Sequence, residues 1–449
     1  MNYREALEYV ESLKHYGSVP GLAMTEALCA RLGDPQKQLK FVHIAGTNGK
    51  GSVLAYVSTI LQNAEYRVGR YISPTLFDYR ERFQIDARPI TQSALCKYME
   101  QVKTAVEQME EAGEAAPPGT EGPHPTLFEV ETVVAFLYFL DKKCDIVVLE
   151  TGMGGRLDAT NVIPAPLCAV ITSISRDHMS YLGDTLEQIA MEKAGIIKPG
   201  SIVVSARQKL EAMQVIKQAA AKSKCRIFIA DADRVKQVKT GLKKQHFSYS
   251  KYKNMEISMP GLYQIDNAIL ALTVIEALQK QGLKIAPDKV KTGLLQTKWA
   301  GRFEVIGQRP LFVIDGAHNE DGAVRLAQTI IHYFEGRRII AIAGVLSDKE
   351  AEKILVPICP LAKHLITVTP PDNPRALHAY ELANLAKEYH DSVTVADSLQ
   401  EAVEIAYLLA GKDKETVVIA FGSLSYLGAL TYIVEHRDTI RRDSHGRSE

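Results

Sequence analysis

The sequence is short of the features that mark several protein classes. Its six cysteines, Cys29, Cys96, Cys144, Cys168, Cys225 and Cys359, are scattered, and no two stand as C-x-x-C. That excludes a zinc knuckle and a thioredoxin-type redox pair, and the cysteines read as reduced thiols of a cytoplasmic protein. Charge of one sign is not in excess, because Lys plus Arg and Asp plus Glu both total 53. Without a net field to gather a polyanion, nucleic acid is not an expected partner. No uninterrupted apolar run reaches the roughly 20 residues that span a bilayer, so no membrane partner is expected either. The N-terminal "MNYREALEYVESLKHYG" is a charged amphipathic helix pattern without the apolar core of a signal peptide. What remains is the composition of a globular enzyme. At 449 residues it exceeds what one hydrophobic core serves, so two or three domains are expected.

Apolar runs alternate with helical patterns along the chain. Strands are expected at 40–45, 68–72, 145–150, 168–174 and 201–205, and helices near 52–64, 92–111, 128–141, 184–194 and 208–222. Such βα alternation predicts a parallel sheet covered by helices. A second alternation starts near 310, with strands at 310–315, 337–344, 364–369, 393–397 and 416–422, and predicts a second, smaller α/β unit. Between the two, "TKWAGRFEVIGQRP" holds the single Trp and breaks the helical pattern, which puts the domain boundary near 297. The Pro- and Gly-rich segment 110–126 reads as an exposed, mobile loop, and "HRDTIRRDSHGRSE" at the end reads as a solvated tail.

The stretch "FVHIAGTNGKGSV" (41–53) lies between the first strand and the first long helix. It resembles a nucleotide loop G-x-x-x-x-G-K-[ST] but departs from it, with Ile44 where the first Gly belongs and Gly51 between Lys50 and Ser52. Gly46, Gly49 and Gly51 let the backbone approach a bulky anion, Lys50 adds a mobile positive charge, and Ser52 offers a hydroxyl to phosphate or its metal. The plain alternative is a glycine-rich βα turn. Lysine and serine together tip the reading to phosphate.

Other polar residues sit where strands end, the edge at which open α/β sheets bind ligands. In "DIVVLETGMGGRLDATN" a buried strand delivers Glu150, placed to hold Mg²⁺ on a nucleotide, or else merely to cap the turn. In "ITSISRDHMSYLGDTLEQIAMEKAGIIKPG" the strand ends before Asp177 and His178, and Asp184 or Thr185 caps the next helix. Lys193 stands late in that helix, where its plain role is to complement the helix dipole. Asn267, Arg302, Asp315, His318 and Asn319 add a third polar set, any one of which could be a turn or capping residue.

With "AGTNGKGS", "SPTLFDYRERF", "TLFE", "ETGMGGRLDATN", "DHMSYLGDTLEQIAMEKAGIIKPG", the "NA" of 267–268, "GRFE" and "DGAHN" in this order, nearly the whole chain resembles the folylpolyglutamate synthases, the folate branch of the Mur ligase family. In that family T-N-G-K-G-S is the usual nucleotide loop. The resemblance implies an α/β fold with a P-loop-containing, parallel-rich Mur-ligase-type domain over 1–297 and a smaller Rossmann-like α/β domain over 298–449. It implies that Asn48, Gly49, Lys50 and Gly51 bind ATP phosphates, and that Ser73, Glu150 and His178 serve magnesium. Ser52 joins both sets on the physical argument above. Asn267, Arg302 and Asp315 would contact ATP, the last two from the second-domain side. Thr126, Leu127, Phe128 and Glu129, with Leu157, Asp158 and Ala159, would lie along the pterin site. Lys50, Lys193 and His318 would be catalytic, and Lys193 matches a lysine that the family carries as a carbamate. The sequence departs from the pattern at Thr75 and Tyr263, where His is frequent, and at Glu320, where Pro is usual.

The implied reaction is an ATP- and Mg²⁺-dependent amide ligation that adds L-glutamate to reduced folate, or to dihydropteroate, through an acyl phosphate. Small-molecule substrates and a cytoplasmic monomer are expected. Two other readings stay open. A Mur-type ligase of UDP-linked precursors would need an N-terminal UDP domain, for which the 45 residues before Gly46 are too few. From another class, the chain could be a P-loop regulatory NTPase or a catalytically dead binding paralogue, and the presence of Glu150, His178, Lys193 and Asp315 argues against the dead paralogue.

Overall fold

The computed structural model describes residues 1–17, 19–113 and 124–440. Most of the expected loop, 114–123, and the end of the expected tail, 441–449, lie outside the described residues.

Eight strands form the first sheet: β1 (Phe41–Ala45), β2 (Val68–Tyr71), β3 (Phe83–Ile85), β4 (Arg88–Pro89), β5 (Ile146–Glu150), β6 (Cys168–Ile171), β7 (Ile202–Ser205) and β8 (Arg226–Ile229). Their order is β4-β3-β2-β5-β1-β6-β7-β8. From β2 to β8 every neighbouring pair is parallel, and β3 and β4 add an antiparallel hairpin at one edge. β1 and β5 are buried at every residue, which is why "FVHIA" and "IVVLE" read as continuous apolar runs rather than alternating ones.

Helices cover the sheet: α1 (Tyr3–Leu13), α2 (Ala23–Arg31), α3 (Lys50–Asn63), α4 (Gln92–Glu111), α5 (Leu127–Asp141), α6 (Met179–Leu182), α7 (Leu186–Ala194) and α8 (Leu210–Lys222). One core joins α1, α2, α4 and α5 to β1, β2 and β5 through Leu28, Met99, Val133, Phe136 and Phe139. Another packs α7 and α8 on β6 and β7 through Ile189, Ile216, Ile171 and Val203. Further on come α9 (Tyr263–Lys280) and α10 (Pro287–Gln296). At the contact of α10 with α3, a Cβ on Gly293 would stand 2.6 Å from the Cα of Ile60, so the two helices meet at backbone distance.

A three-stranded sheet follows from β9 (Val235–Lys239), β10 (Gln245–Tyr249) and β11 (Tyr252–Ile257). The last sheet contains β12 (Glu304–Gln308), β13 (Leu311–Ile314), β14 (Arg338–Ala343), β15 (His364–Val368), β16 (Val393–Ala396) and β17 (Thr416–Phe421), in the order β12-β13-β17-β14-β15-β16. It is parallel except for β12, which pairs antiparallel with β13. Two compact units result. The first holds Met1–Gln237, Phe247–Glu256 and Asp266–Thr297, and the second holds Val238–His246, Ile257–Ile265 and the chain from Lys298.

The expected βα alternation is present in both parts, and the fold is α/β as anticipated. The expected tail does not begin as solvated chain. Arg437 donates to both carboxylate oxygens of Glu404 at 2.9 and 2.8 Å and lies 4.0 Å from the Tyr407 ring centroid, so this stretch is fastened to helix Leu399–Ala410.

Candidate active site

Because β2, β5, β1 and β6 run parallel, their C-terminal ends share one edge of the first sheet. Ile44 pairs with Glu150, Ala45 with Ile171, and Tyr71 with Leu149. The loop after β1 opens α3 from this edge. Gly46 has φ 152°, and a Cβ there would stand 1.8 Å from the hydroxyl of Thr172. Gly49, with φ 88°, is the N-cap of α3, and its Cβ would meet the side-chain oxygen of Asn267 at 2.5 Å. Conformation calls for glycine at both positions, and at Gly46 the Thr172 side chain and backbone leave no space for a Cβ as well.

Backbone bonds hold the loop to the segment after β6. Thr47 N donates to Ser173 O at 2.8 Å, Asn48 N donates to the same oxygen at 3.4 Å, and the Thr47 hydroxyl accepts from Ser175 N at 3.1 Å. Asn48 is thus turned toward 173–175, where its amide also donates to the Ser175 hydroxyl at 3.4 Å. Helix geometry gives the N–H groups of Lys50 and Gly51 no acceptor one turn back, so these are what the loop can offer an anion. The Lys50 ammonium folds over the loop and donates to Gly46 O and Thr47 O, both at 3.2 Å.

Lys193 reaches the same place. It is 4% exposed in the last turn of α7, and its Nζ donates to Gly46 O at 2.9 Å. The structure therefore brings together two cations expected separately, and one carbonyl oxygen accepts from both. Ser52 and Glu150 are buried close by in the fold, one in the first turn of α3 and the other at the end of β5. Ser73 follows β2 at the same edge and is partly buried. His178 caps α6 with φ 51°, and its N–H donates to the Asp177 carboxylate at 2.9 Å. Among the described residues no three His, Cys, Asp or Glu side chains gather as a metal set.

The residues expected along the pterin site are drawn together, yet their polar atoms serve the local structure. Thr126 and Glu129 form a capping box at the start of α5: Thr126 N and its hydroxyl donate to Glu129 Oε2 at 2.8 and 2.9 Å, and Thr25 donates to Oε1 at 3.4 Å. Burial pushes the Glu129 carboxyl up, and the Thr126 bonds pull it back. Asp158 accepts from Met153 N at 2.8 Å and from Thr160 N at 3.0 Å, which pins the glycine turn after Glu150. Phe128 is packed over that turn, and a Cβ on Gly152 would meet its ring at 2.6 Å. Leu127 packs beside it on the core, Leu157 O accepts from Gly21 N at 3.2 Å, and Ala159 is buried.

In the second unit Asp315 ends β13 as expected and is 3% exposed. Its carboxylate accepts from the Tyr263 hydroxyl, from Phe303 N at 2.8 Å and from Ala317 N at 2.8 Å. Burial raises its pKa, opposed by the Tyr263 bond and then the Arg302 charge. Tyr263, where the sequence departs from the family pattern, thus bonds to the residue that follows β13 within the second unit. The Arg302 guanidinium lies over Gly316, where a Cβ would stand 2.1 Å from Nη1. His318 Nδ1 faces Gly316 O at 2.8 Å, so the neutral ring carries its proton there. Asn319 is the N-cap of helix α11 (Glu320–Phe334) and accepts from Gly322 N at 2.9 Å, the plain capping role.

Sequence alone assigns no role to Arg82 in "DYRERF". Its Nε lies 3.1 Å from Glu131 Oε1, with both side chains largely buried. Burial pushes the Glu131 carboxyl up, and the Arg82 charge opposes it. Replacing Arg82 by Leu should destabilise the first unit by about 3–5 kcal/mol, because it leaves Glu131 buried without its cation. Replacing both by Leu should cost less than the single change. Urea unfolding of the three proteins checks this, and an additive double variant would contradict it.

Residues 44–275 match the Mur ligase middle domain, and residues 301–424 match the Mur ligase glutamate ligase domain. The dihydrofolate synthase/folylpolyglutamate synthase of Bacillus subtilis is 35% identical over 443 residues, which cover 95% of this chain and 97% of that protein. The structure of Mycobacterium tuberculosis folylpolyglutamate synthase complexed with ADP and AMPPCP superposes with a TM-score of 0.88 at 33% identity, over 96% of this chain and 99% of the other. That of E. coli FolC in complex with DHPP and ADP gives 0.83 at 26% identity, over 98% and 99%. With both domains matched in order and relatives aligned over nearly all of its length, the chain belongs to the Mur ligase family, in the folylpolyglutamate synthase/dihydrofolate synthase branch of ATP-dependent glutamate ligases.

Proposed function

We propose that the chain adds L-glutamate to the glutamate tail of reduced folates through an acyl phosphate, with 1–297 as the ATP-binding domain and 298–449 as the C-terminal ligase domain. A carboxylate is a poor electrophile. Its oxygen must first attack the γ-phosphorus of ATP, with ADP leaving, and the amine of glutamate then attacks the acyl carbon and expels phosphate. The observation that carries this reading is the cluster at the start of α3, where the Lys50 ammonium folds over the glycine loop onto Gly46 O and Thr47 O. That cluster, with the helix N-terminus, suits the spreading negative charge of a phosphoryl group in transfer.

Asn48, Gly49, Lys50, Gly51 and Ser52 are assigned to the phosphates, and Asn48 also fastens the loop. Nucleotide contacts are assigned to Asn267 in the first unit and to Arg302 and Asp315 in the second. Magnesium suits the donors present, since Ser52, Ser73 and Glu150 offer oxygen and His178 a nitrogen, and Mg²⁺ takes one or two carboxylates besides water and phosphate. When bound, it neutralises phosphate charge. His318, held to Gly316 O through Nδ1, is assigned a catalytic part. Thr126 to Glu129 and Leu157 to Ala159 are assigned to the pterin, with Phe128 as the apolar surface and the capping box and Asp158 turn as its frame.

The same activation applied to dihydropteroate would give dihydrofolate. ADP release by the purified protein, measured with glutamate and with tetrahydrofolate, dihydropteroate or neither, tests both acceptors. Release should require glutamate and a pteridine acceptor together. Turnover of ATP independent of either would instead favour a regulatory nucleotide-binding protein.

A further inference from the structure

Gln208 lies in the short connection between β7 and α8, far in sequence from the nucleotide loop. The last rung of the β6–β7 ladder is Ala206 N donating to Ile171 O at 2.8 Å. Beyond it the side-chain amide of Gln208 takes over. Its Nε2 donates to Thr172 O at 2.7 Å, and its Oε1 accepts from Ile174 N at 2.9 Å. One primary amide presents a donor and an acceptor in a plane, as the peptide group of a further strand residue would. It extends the sheet edge by one step without extending the strand.

The regular ladder ends here, since Ile171 O and Thr172 O both turn toward β7 and the connection after it, while Thr172 N still donates to Ala45 O at 2.8 Å. Past that break the 172–175 strip is held by different partners on its two edges. Thr172 O and Ile174 N face Gln208, whereas Ser173 O and Ser175 N face the loop and hold Thr47 and Asn48. Asn48 and Ser173 form the bridge that results. The same segment runs on to Asp177 and His178. We propose that Gln208 is a positioning residue for the nucleotide: it fixes the 172–175 strip, and the strip fixes the loop whose N–H groups meet phosphate. This rests on the phosphate reading of the loop.

Gln208→Leu and Gln208→Glu test it in the full chain. Leucine removes both bonds at a half-buried position, where water can replace them. Glutamate keeps the shape and the bond from Ile174 N, but sets a carboxylate oxygen against Thr172 O. Calorimetric ADP affinity should fall by about tenfold for Leu and further for Glu, while KM for glutamate stays within about twofold. A packing role would order the two variants the other way, since Glu is nearer in shape to Gln. Lys50→Ala is measured alongside. If it binds ADP normally, the phosphate reading fails. If it loses ADP while both Gln208 variants keep wild-type affinity, or while all KM values rise together with a lowered melting temperature, the positioning role is overturned.

Discussion

Lys50→Ala is expected to lower kcat by about a hundred- to thousandfold while the protein stays folded. The loop is shaped by other means. Gly46 and Gly49 set its path, and Thr47 and Asn48 are pinned to Ser173 by backbone bonds that the substitution leaves alone. Lys50 contributes only two contacts at 3.2 Å to loop carbonyls from a partly exposed position, and water can take its place there. What water cannot supply is a full positive charge moving with the phosphoryl group. Melting followed by circular dichroism should match the parent, and ADP release should not. Turnover like that of the parent would remove the phosphate assignment.

The parallel strands were legible because burial on both faces turns them into uninterrupted apolar words such as "IVVLE" and "FVHIA". Where that condition fails, so does the reading. β9 is "VKQVK", exposed along most of its length, and β3 and β4 are short pieces joined by Asp86 and Ala87 at positive φ, without the Asn-Gly or Asp-Gly that usually announces such a turn. β12 lies in the very segment whose missing helical pattern marked a boundary, because a short edge strand leaves little periodic signal. Within the site, local partnerships were available to inspection: T-x-x-E at 126–129 is a capping box, and Asn319 before an acidic helix start is an N-cap. Long-range ones were not. Nothing in the sequence says that Lys193 meets Gly46, that Tyr263 meets Asp315, or that Arg82 finds Glu131.

The position of Lys193 leads to the second large effect. A late-helix lysine that merely complements the dipole would lie at the surface and contribute well under ~1 kcal/mol, and Lys193→Arg would be nearly silent. Here the side chain is buried and its Nζ is 2.9 Å from a carbonyl of the nucleotide loop. A neutral amine at this point can attack CO₂, forming an N–C bond and releasing one proton, and the side chain becomes an anionic carbamate suited to a second magnesium beside phosphate. Guanidinium cannot form that adduct, and its longer planar head cannot keep the same place against Gly46 O. Lys193→Arg should therefore lose activity by about a hundredfold or more while keeping its fold by circular dichroism. Acetate or formate should partly restore Lys193→Ala by supplying the missing anion. With ¹³C-labelled bicarbonate, the parent protein should show a carbamate carbon resonance that the Arg variant lacks. An active Arg variant, together with a parent spectrum empty of that resonance, would return Lys193 to the part of a fixed cation holding the loop.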